Sequence, residues 1–289
     1  MIDIWEPFSE VKELDTSQIF ENSIDEFRIL VTVIEIRPTT VNCNITDISN
    51  LKFVNRNEAK KFLTAKRNEE HASGRYLLEK TLRLWDRFLD LSQLEVRRDE
   101  NTRRPFLSWI EGTYQGKELP NFSISHSNGI AIIALCETSY SVGVDIEPID
   151  QNRSEGLMEF MSAGNELSKI RNYWDKDSID RNRMLNRVWT IKESCMKTLG
   201  IGMGINPINL EIPDKVLENF SIGKSNFQLE YSGEKIDIFN DILEFEKKHS
   251  LSIAIRKKNL SELPQLTQAE IEILESLSLP SNNLGCANN

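Results

Sequence analysis

The feature that most limits how this chain can fold is the stretch from residue 122 to 149, where FSISHS (122–127), GIAIIALCE (129–137) and SVGVDIEPI (141–149) follow one another almost without interruption. Asn128-Gly129 separates the first two and the polar run Thr138 to Ser141 the last two. Short apolar runs punctuated by such turn signals read as strands joined by tight turns. The middle of the chain is therefore expected to be a β-meander.

Around it the patterns alternate in type. FRILVTVIEI (27–36) is rich in β-branched residues and reads as a buried strand. From about Asn57 to Asp90, Phe62, Ala65, Ala72, Tyr76, Leu77, Leu84 and Phe88 recur at helical spacing, which predicts one or two helices with a basic side. Residues 154–170 and 177–199 are again helical in pattern. In the second, Leu185, Val188, Cys195 and Leu199 form an apolar stripe that Gly200 and Gly202 bring to a stop. NFQLEY and HSLSIAIRKK supply two more strands, LTQAEIEILESL a short amphipathic helix, and PSNNLGCANN a polar tail with little to pack. Helices and strands thus mix in an α+β pattern, with no fixed-period repeat.

Composition narrows the function classes. A chain of 289 residues with 39% hydrophobic content can bury a real core. With 45 acidic against 35 basic residues its formal net charge is −10, which opposes non-specific binding to nucleic acid, so any basic site must be local. Cys43, Cys136, Cys195 and Cys286 form no CxxC pair, and three histidines are too few for a zinc cluster. Reduced thiols, an N-terminus without a secretory pattern, and the lack of a long uncharged apolar run lead to the expectation of a cytoplasmic chain that neither enters nor crosses a membrane.

Three blocks carry chemistry. In VGVDIEP, strand alternation puts Asp145 and Glu147 on one face and Val144 and Ile146 on the other. An isolated DxE of this kind is ordinarily a solvated strand face, and two carboxylates beside apolar neighbours alternatively suit a hard metal. In RVWTIKESCMKTLG, Trp189, Glu193 and Lys197 lie at i, i+4 and i+8, on a face apart from the apolar stripe. Three carboxylates about 4 Å apart would repel by roughly 4 kcal/mol per pair at an effective dielectric near 20, which a divalent cation reverses. If the carboxylates converge, Mg²⁺ is the expected occupant. In AKRNEEHASGRYLLEK, Arg67, His71 and Arg75 at successive i+4 positions form either a basic ridge for phosphate oxygens or a solvated face partnered by Glu69 and Glu70. Ser125 and His126 sit at a strand end before a turn. His126 is either a phosphate ligand or an ordinary turn residue, and no GxSxG elbow supports a serine hydrolase.

In order and spacing, KRNEEHASGR, then RRPF with FSISHS and VGVDIEP, then VWTIKESCMKTLG resemble the signature of the phosphopantetheinyl transferase superfamily, in particular its Sfp- and EntD-like monomeric branch, over roughly Lys61 to Leu210. The resemblance implies two similar α/β halves related by pseudo-two-fold symmetry, with the ligand between them. On this chain the halves would be 1–138, with the coenzyme A-binding basic helix, and 139–258, with the metal-binding strand and helix; 259–289 would form a C-terminal helix and tail. It implies that Asp145, Glu147 and Glu193 hold Mg²⁺, that Lys197 reaches a phosphate oxygen, and that Glu193 is the base, directly or through water. Arg67 and Arg75 would contact the 3′-phosphate end of coenzyme A, Arg104 (or Arg103) would precede the family proline, and Ser125 and His126 would line the phosphate site. The implied activity is Mg²⁺-dependent transfer of the 4′-phosphopantetheine group from coenzyme A to a serine of an apo acyl or peptidyl carrier protein. That reaction needs no protein nucleophile, and 3′,5′-ADP leaves. Two other readings use the same residues: a non-catalytic module of this fold that binds coenzyme A or a carrier, and a metal-dependent phosphohydrolase.

Overall fold

A computed structural model describes residues 10–16, 27–36, 51–55, 57, 60–61, 63–174, 178–201, 204–218, 223–245, 247–263 and 271. The mixed α+β class expected from the sequence is what it contains. The strands are β1 (Lys12–Glu13), β2 (Ile29–Glu35), β3 (Leu94–Arg98), β4 (Pro105–Trp109), β5 (Asn121–Ser127), β6 (Ile130–Cys136), β7 (Tyr140–Pro148), β8 (Ser225–Tyr231), β9 (Glu234–Glu244) and β10 (Lys248–Lys257). The α-helices are α1 (Ala65–Trp85), α2 (Glu155–Met161), α3 (Gly164–Trp174), α4 (Ser178–Leu199) and α5 (Asp214–Glu218).

The strands form one sheet in the order β1-β2-β6-β5, a second in the order β7-β10-β9-β8, and a separate β3-β4 pair. In both larger sheets a strand that precedes the long helix pairs with the last strand of its group, which in turn pairs with the strand just before it. Asn128 and Gly129, at φ 47° and 84°, close the β5-β6 hairpin as a two-residue turn of the kind that matches strand twist. The expected meander stops there. β7 does not pair with β6 but crosses into the second sheet, where it aligns antiparallel with β10 over Tyr140 to Pro148. Its β-branched residues explain the switch, because Val142, Val144 and Ile146 pack against Val31, Val33, Ile130 and Ile132 of the first sheet, burying one face of each sheet against the other.

The outer faces carry the long helices. α1 covers the first sheet through Leu77, Leu78 and Leu82, which meet Leu30, Ile34, Ile133 and Leu135. α4 covers the second through Leu185, Val188, Ile191 and Cys195, which meet Ile236, Ile238 and Ala254. The apolar stripe foreseen for α4 is thus the core face, and Gly200 follows its last turn.

Several boundaries differ from the sequence expectation. The helix expected over 154–170 is two, α2 and α3, broken at Ser162 and Ala163. Of the one or two helices expected from Asn57 to Asp90, α1 is described, Asn57 is also helical, and residues 56, 58–59 and 62 lie outside the described residues. β3, β4 and β9 had not been foreseen. The amphipathic segment LTQAEIEILESL and the polar tail lie outside the described residues, apart from Ile271. Among the described residues no helix is long and apolar enough to cross a membrane.

Candidate active site

Alternation along β7 places Gly143, Asp145 and Glu147 on the face that α4 covers. Gly143 makes the contact close: a Cβ there would lie 2.0 Å from the Ser194 carbonyl oxygen and 2.5 Å from Thr198 Oγ1. No larger residue permits that approach without moving the helix. Polar contacts fix the register. Ser194 Oγ and Ser252 Oγ lie 2.8 Å apart, Thr198 Oγ1 donates to the Ala254 carbonyl at 2.8 Å, and Ser141 Oγ donates to the Thr198 carbonyl at 2.6 Å. The helix is also tied from behind by Lys192, whose fully buried ammonium donates to Glu166 Oε2 at 2.7 Å and to the carbonyls of Met161 and Pro207 at 2.6 and 3.1 Å.

This packing delivers the α4 functional side chains to the strand carboxylates. Lys197 Nζ donates to Asp145 Oδ1 at 2.7 Å and to the Val144 carbonyl at 3.0 Å. Glu193 sits near enough to both strand carboxylates to feel them. Burial pushes its carboxyl above the ordinary 4.5, Lys197 opposes that shift, and the Asp145 and Glu147 charges add to it. Burial and then the Asp145 charge likewise raise Glu147, against hydrogen bonding from Ser127 and the charge of Arg153. Lys197 thus meets Asp145 directly, and Glu193 lies within range of the charges of Asp145, Glu147 and Lys197.

The donor set is all oxygen, which suits a hard divalent cation. Asp145 Oδ2 is buried and makes no hydrogen bond, an orphaned acceptor of the sort a cation satisfies. Among the described residues, however, no three His, Cys, Asp or Glu side chains stand grouped closely enough to hold a metal ion as they are. Lys197 and Arg153 instead supply the positive charge, the Arg153 Nη2 lying 3.1 Å from Glu147 Oε2.

The other expected residues divide. Side chains of Ser125 and His126 point opposite ways, as neighbours on a strand must. Ser125 Oγ donates to Asp145 Oδ1 at 2.8 Å, so its buried hydroxyl is engaged with the carboxylate face. His126 faces α1, its Nδ1 3.7 Å from Glu70 Oε2. Burial holds the imidazole below its ordinary 6.5, with the Glu70 charge opposing and those of Lys197 and Arg67 assisting. His126 is therefore neutral at pH 7, beside the Arg67–Glu70 turn of α1. Thr64 caps that turn by accepting from the Arg67 amide at 3.3 Å.

The basic ridge on α1 is not a uniform exposed face. The Arg67 side chain is 67% exposed, whereas Arg75, two turns on, is only 6% exposed because Gly74 lets α1 settle against Ile124 of β5. Arg104 lies elsewhere, its guanidinium packed against Gly200 just past the end of α4. Burial lowers its pKa, Cys136 and Glu262 oppose this, and Arg256 adds to it. Arg103 occupies a turn at φ 61° and is exposed. Trp189 belongs less to the polar face than expected, since it packs at the edge of the α4 core with its ring 6.4 Å from Phe160.

Sequence reasoning did not identify Ser123, Ser127, Arg153 or Asn186. Ser123 Oγ accepts from the Val144 amide at 3.0 Å and Ser127 Oγ donates to Glu147 Oε2 at 2.8 Å. Together with Ser125 they lace the edge strand of one sheet to the edge strand of the other. The available signal was the serine at every second position of SISHS, a period of two that puts all three on one side.

Residues 141–255, which hold α4 and most of β7 and β10, match the family model of the 4′-phosphopantetheinyl transferase superfamily. The chain is 29% identical over 199 residues to a Xenopus laevis protein named L-aminoadipate-semialdehyde dehydrogenase-phosphopantetheinyl transferase, covering 63% of this chain and 61% of that one. Proteins of the same name from Homo sapiens and Mus musculus are 28% and 26% identical over 154 and 152 residues, each match covering 47% of this chain and 46% of the relative. The chain thus spans less than two thirds of the length of the curated relatives it matches.

Proposed function

We propose that this chain, whose residues 141–255 carry a 4′-phosphopantetheinyl transferase superfamily domain, transfers the 4′-phosphopantetheine group of coenzyme A to a serine of an apo acyl or peptidyl carrier protein. The observation that carries the proposal is the contact of Lys197 with Asp145, in the range of whose charge Glu193 also lies, where Gly143 lets α4 sit against β7. In this reading the two sheets with their helices are halves related by pseudo-two-fold symmetry, divided between residues 138 and 139, and the ligand lies between them. The site would act in the cytoplasm in a monomeric chain.

Asp145, Glu147 and Glu193 would hold Mg²⁺, which when bound supplies positive charge to the pyrophosphate oxygens. Lys197, already directed at the carboxylate cluster, would transfer part of its hydrogen bonding to a phosphate oxygen and offset the charge that develops there. Glu193, with its pKa raised by burial, is suited to take the proton of the acceptor serine. The serine oxygen forms a bond to the β-phosphorus, the bond from that phosphorus to the bridging oxygen breaks, and 3′,5′-ADP departs with the electron pair. Neutral His126 would hydrogen-bond a phosphate oxygen, and Arg67, exposed on the neighbouring helix, would meet the 3′-phosphate. In this reading Arg75 and Arg104 contribute at the coenzyme A end.

Chromatography of the nucleotide products tests the reading. Release of 3′,5′-ADP from coenzyme A that requires both Mg²⁺ and an apo-carrier is the expected result. Release without any carrier would indicate a phosphohydrolase, and binding of coenzyme A without release would indicate a non-catalytic module.

A further inference from the structure

Each strand carboxylate commits one oxygen and leaves the other. Asp145 Oδ1 accepts from Ser125 Oγ at 2.8 Å and Lys197 Nζ at 2.7 Å, while Oδ2 is buried without a hydrogen bond. Glu147 repeats the arrangement: Oε2 accepts from Ser127 Oγ at 2.8 Å and faces Arg153 Nη2 at 3.1 Å, and among the described residues no donor reaches Oε1. In both cases one serine of β5 and one cation grip the same oxygen.

The Arg153 end of this grip is itself braced. Its Nε donates to Asn186 Oδ1 at 2.7 Å. The Asn186 amide nitrogen donates to the carbonyls of Ile149, Gln151 and Asn182 at 3.2, 2.9 and 2.9 Å, and Asn186 is fully buried. That one asparagine ties the chain following β7 to α4 and leaves its oxygen for the guanidinium. An exposed surface ion pair would show none of this support.

We propose that Ser127 and Arg153, the latter braced by Asn186, are positioning residues that hold Glu147 by one oxygen and keep the other available to a divalent cation, as Ser125 does for Asp145. The inference rests on the metal-dependent reading above. A glutamate fixed before the metal arrives gives up little side-chain freedom on binding, and outer partners of this kind typically change metal affinity about 10- to 100-fold when removed. Arg153 also adds positive charge, which by itself opposes a cation, so orientation and charge predict different mutational outcomes.

Titration with Mn²⁺ alone, followed by electron paramagnetic resonance of the free ion without coenzyme A or carrier, separates them. S127A changes no charge and is expected to bind Mn²⁺ about 10- to 100-fold more weakly than the natural chain. S127T, which keeps the hydroxyl, should restore binding. R153K keeps the charge but cannot reach Asn186 and Glu147 through one planar fork, and is also expected to bind more weakly. Mn²⁺ affinity of S127A within twofold of the natural chain overturns the proposal for Ser127. Unchanged affinity in R153K with tighter binding in R153Q reduces Arg153 to a counter-charge and overturns its part. If the natural chain itself binds no Mn²⁺, this inference falls together with the metal requirement of the proposed function, whereas carrier-dependent ADP release tests the transfer separately.

Discussion

Glu193 is held in a state that favours reactivity over stability. Among the described residues it forms no hydrogen bond or ion pair, and burial together with Asp145 and Glu147 raises its pKa above the ordinary 4.5. The folded chain therefore binds this proton more tightly than the unfolded chain does, so its contribution to stability falls as the pH rises from about 4.5 through the raised folded value. Glu193→Gln removes that penalty. We expect its melting temperature to equal or exceed the natural chain's at pH 7.5, with the difference shrinking as the pH is lowered toward 4.5, while transfer falls by about two to four orders of magnitude. Melting curves and turnover measured across this pH range check both halves. Arg75 gives the contrasting case. Its 6% exposure means that Arg75→Ala should lower the urea midpoint, alongside any rise in the coenzyme A KM over that of 3′-dephospho-coenzyme A. The sequence registered the identity of these side chains and their periodicity, but one helix face gives no sign of where the neighbouring sheet rises to bury Arg75 and leaves Arg67 in solvent.

At the level of elements, the site exists because α4 lies unusually close to β7. Gly143→Ala would put a methyl group 2.0 Å from the Ser194 carbonyl oxygen, and backbone cannot yield as a side-chain tip can. The expected cost is about 1–3 kcal/mol or more by urea denaturation, with transfer reduced beyond what the lost stability explains because Lys197 moves away from Asp145. Lys192 anchors the same helix from its other side. Burial lowers its pKa against the pull of Glu166, and removing one member of a buried pair strands the other. Lys192→Ala should therefore destabilise by roughly 3–5 kcal/mol. The DxE strand and the KExxxK helix were legible from alternation and helical spacing, whereas the role of Gly143 was not read, although a lone glycine inside a strand often marks close approach of another backbone. β9 was missed although Ile236 and Ile238 alternate in EKIDIFNDILE, because Glu234, Lys235, Asp237 and Asp241 mask the pattern with charge. The α2-α3 break at Ser162 and Ala163 was missed because Met158 and Met161 before it and Leu167 and Ile170 after it each keep an i, i+3 spacing.

For the whole molecule, the decisive event is the passage of the chain from Cys136 to Tyr140, which leaves one sheet and founds the other. Local sequence could not reveal it: a strand alternates in the same way whether it pairs with its predecessor or with β10, more than a hundred residues later. Ser125 and Ser127 then couple the two sheets at the carboxylates and Ser123 at the Val144 amide, so the site depends on both sheets being in place. Under the proposed transfer, a chain of net charge −10 would dock its carrier through local basic or apolar surface. The carrier KM is accordingly expected to rise between low and about 0.5 M salt, and the coenzyme A KM to move less, because screening acts most on exposed contacts. Steady-state kinetics across that range would detect a carrier KM indifferent to salt, which would instead indicate apolar docking. The central claim is that these two joined sheets carry one transfer site, and intact-mass measurement of an apo-carrier panel incubated with the chain, coenzyme A and Mg²⁺ tests it most directly. The account predicts that at least one carrier gains the mass of a single phosphopantetheine group on its acceptor serine and that Glu193→Gln abolishes the gain; unmodified carriers across the panel, with coenzyme A either intact or hydrolysed, would contradict it.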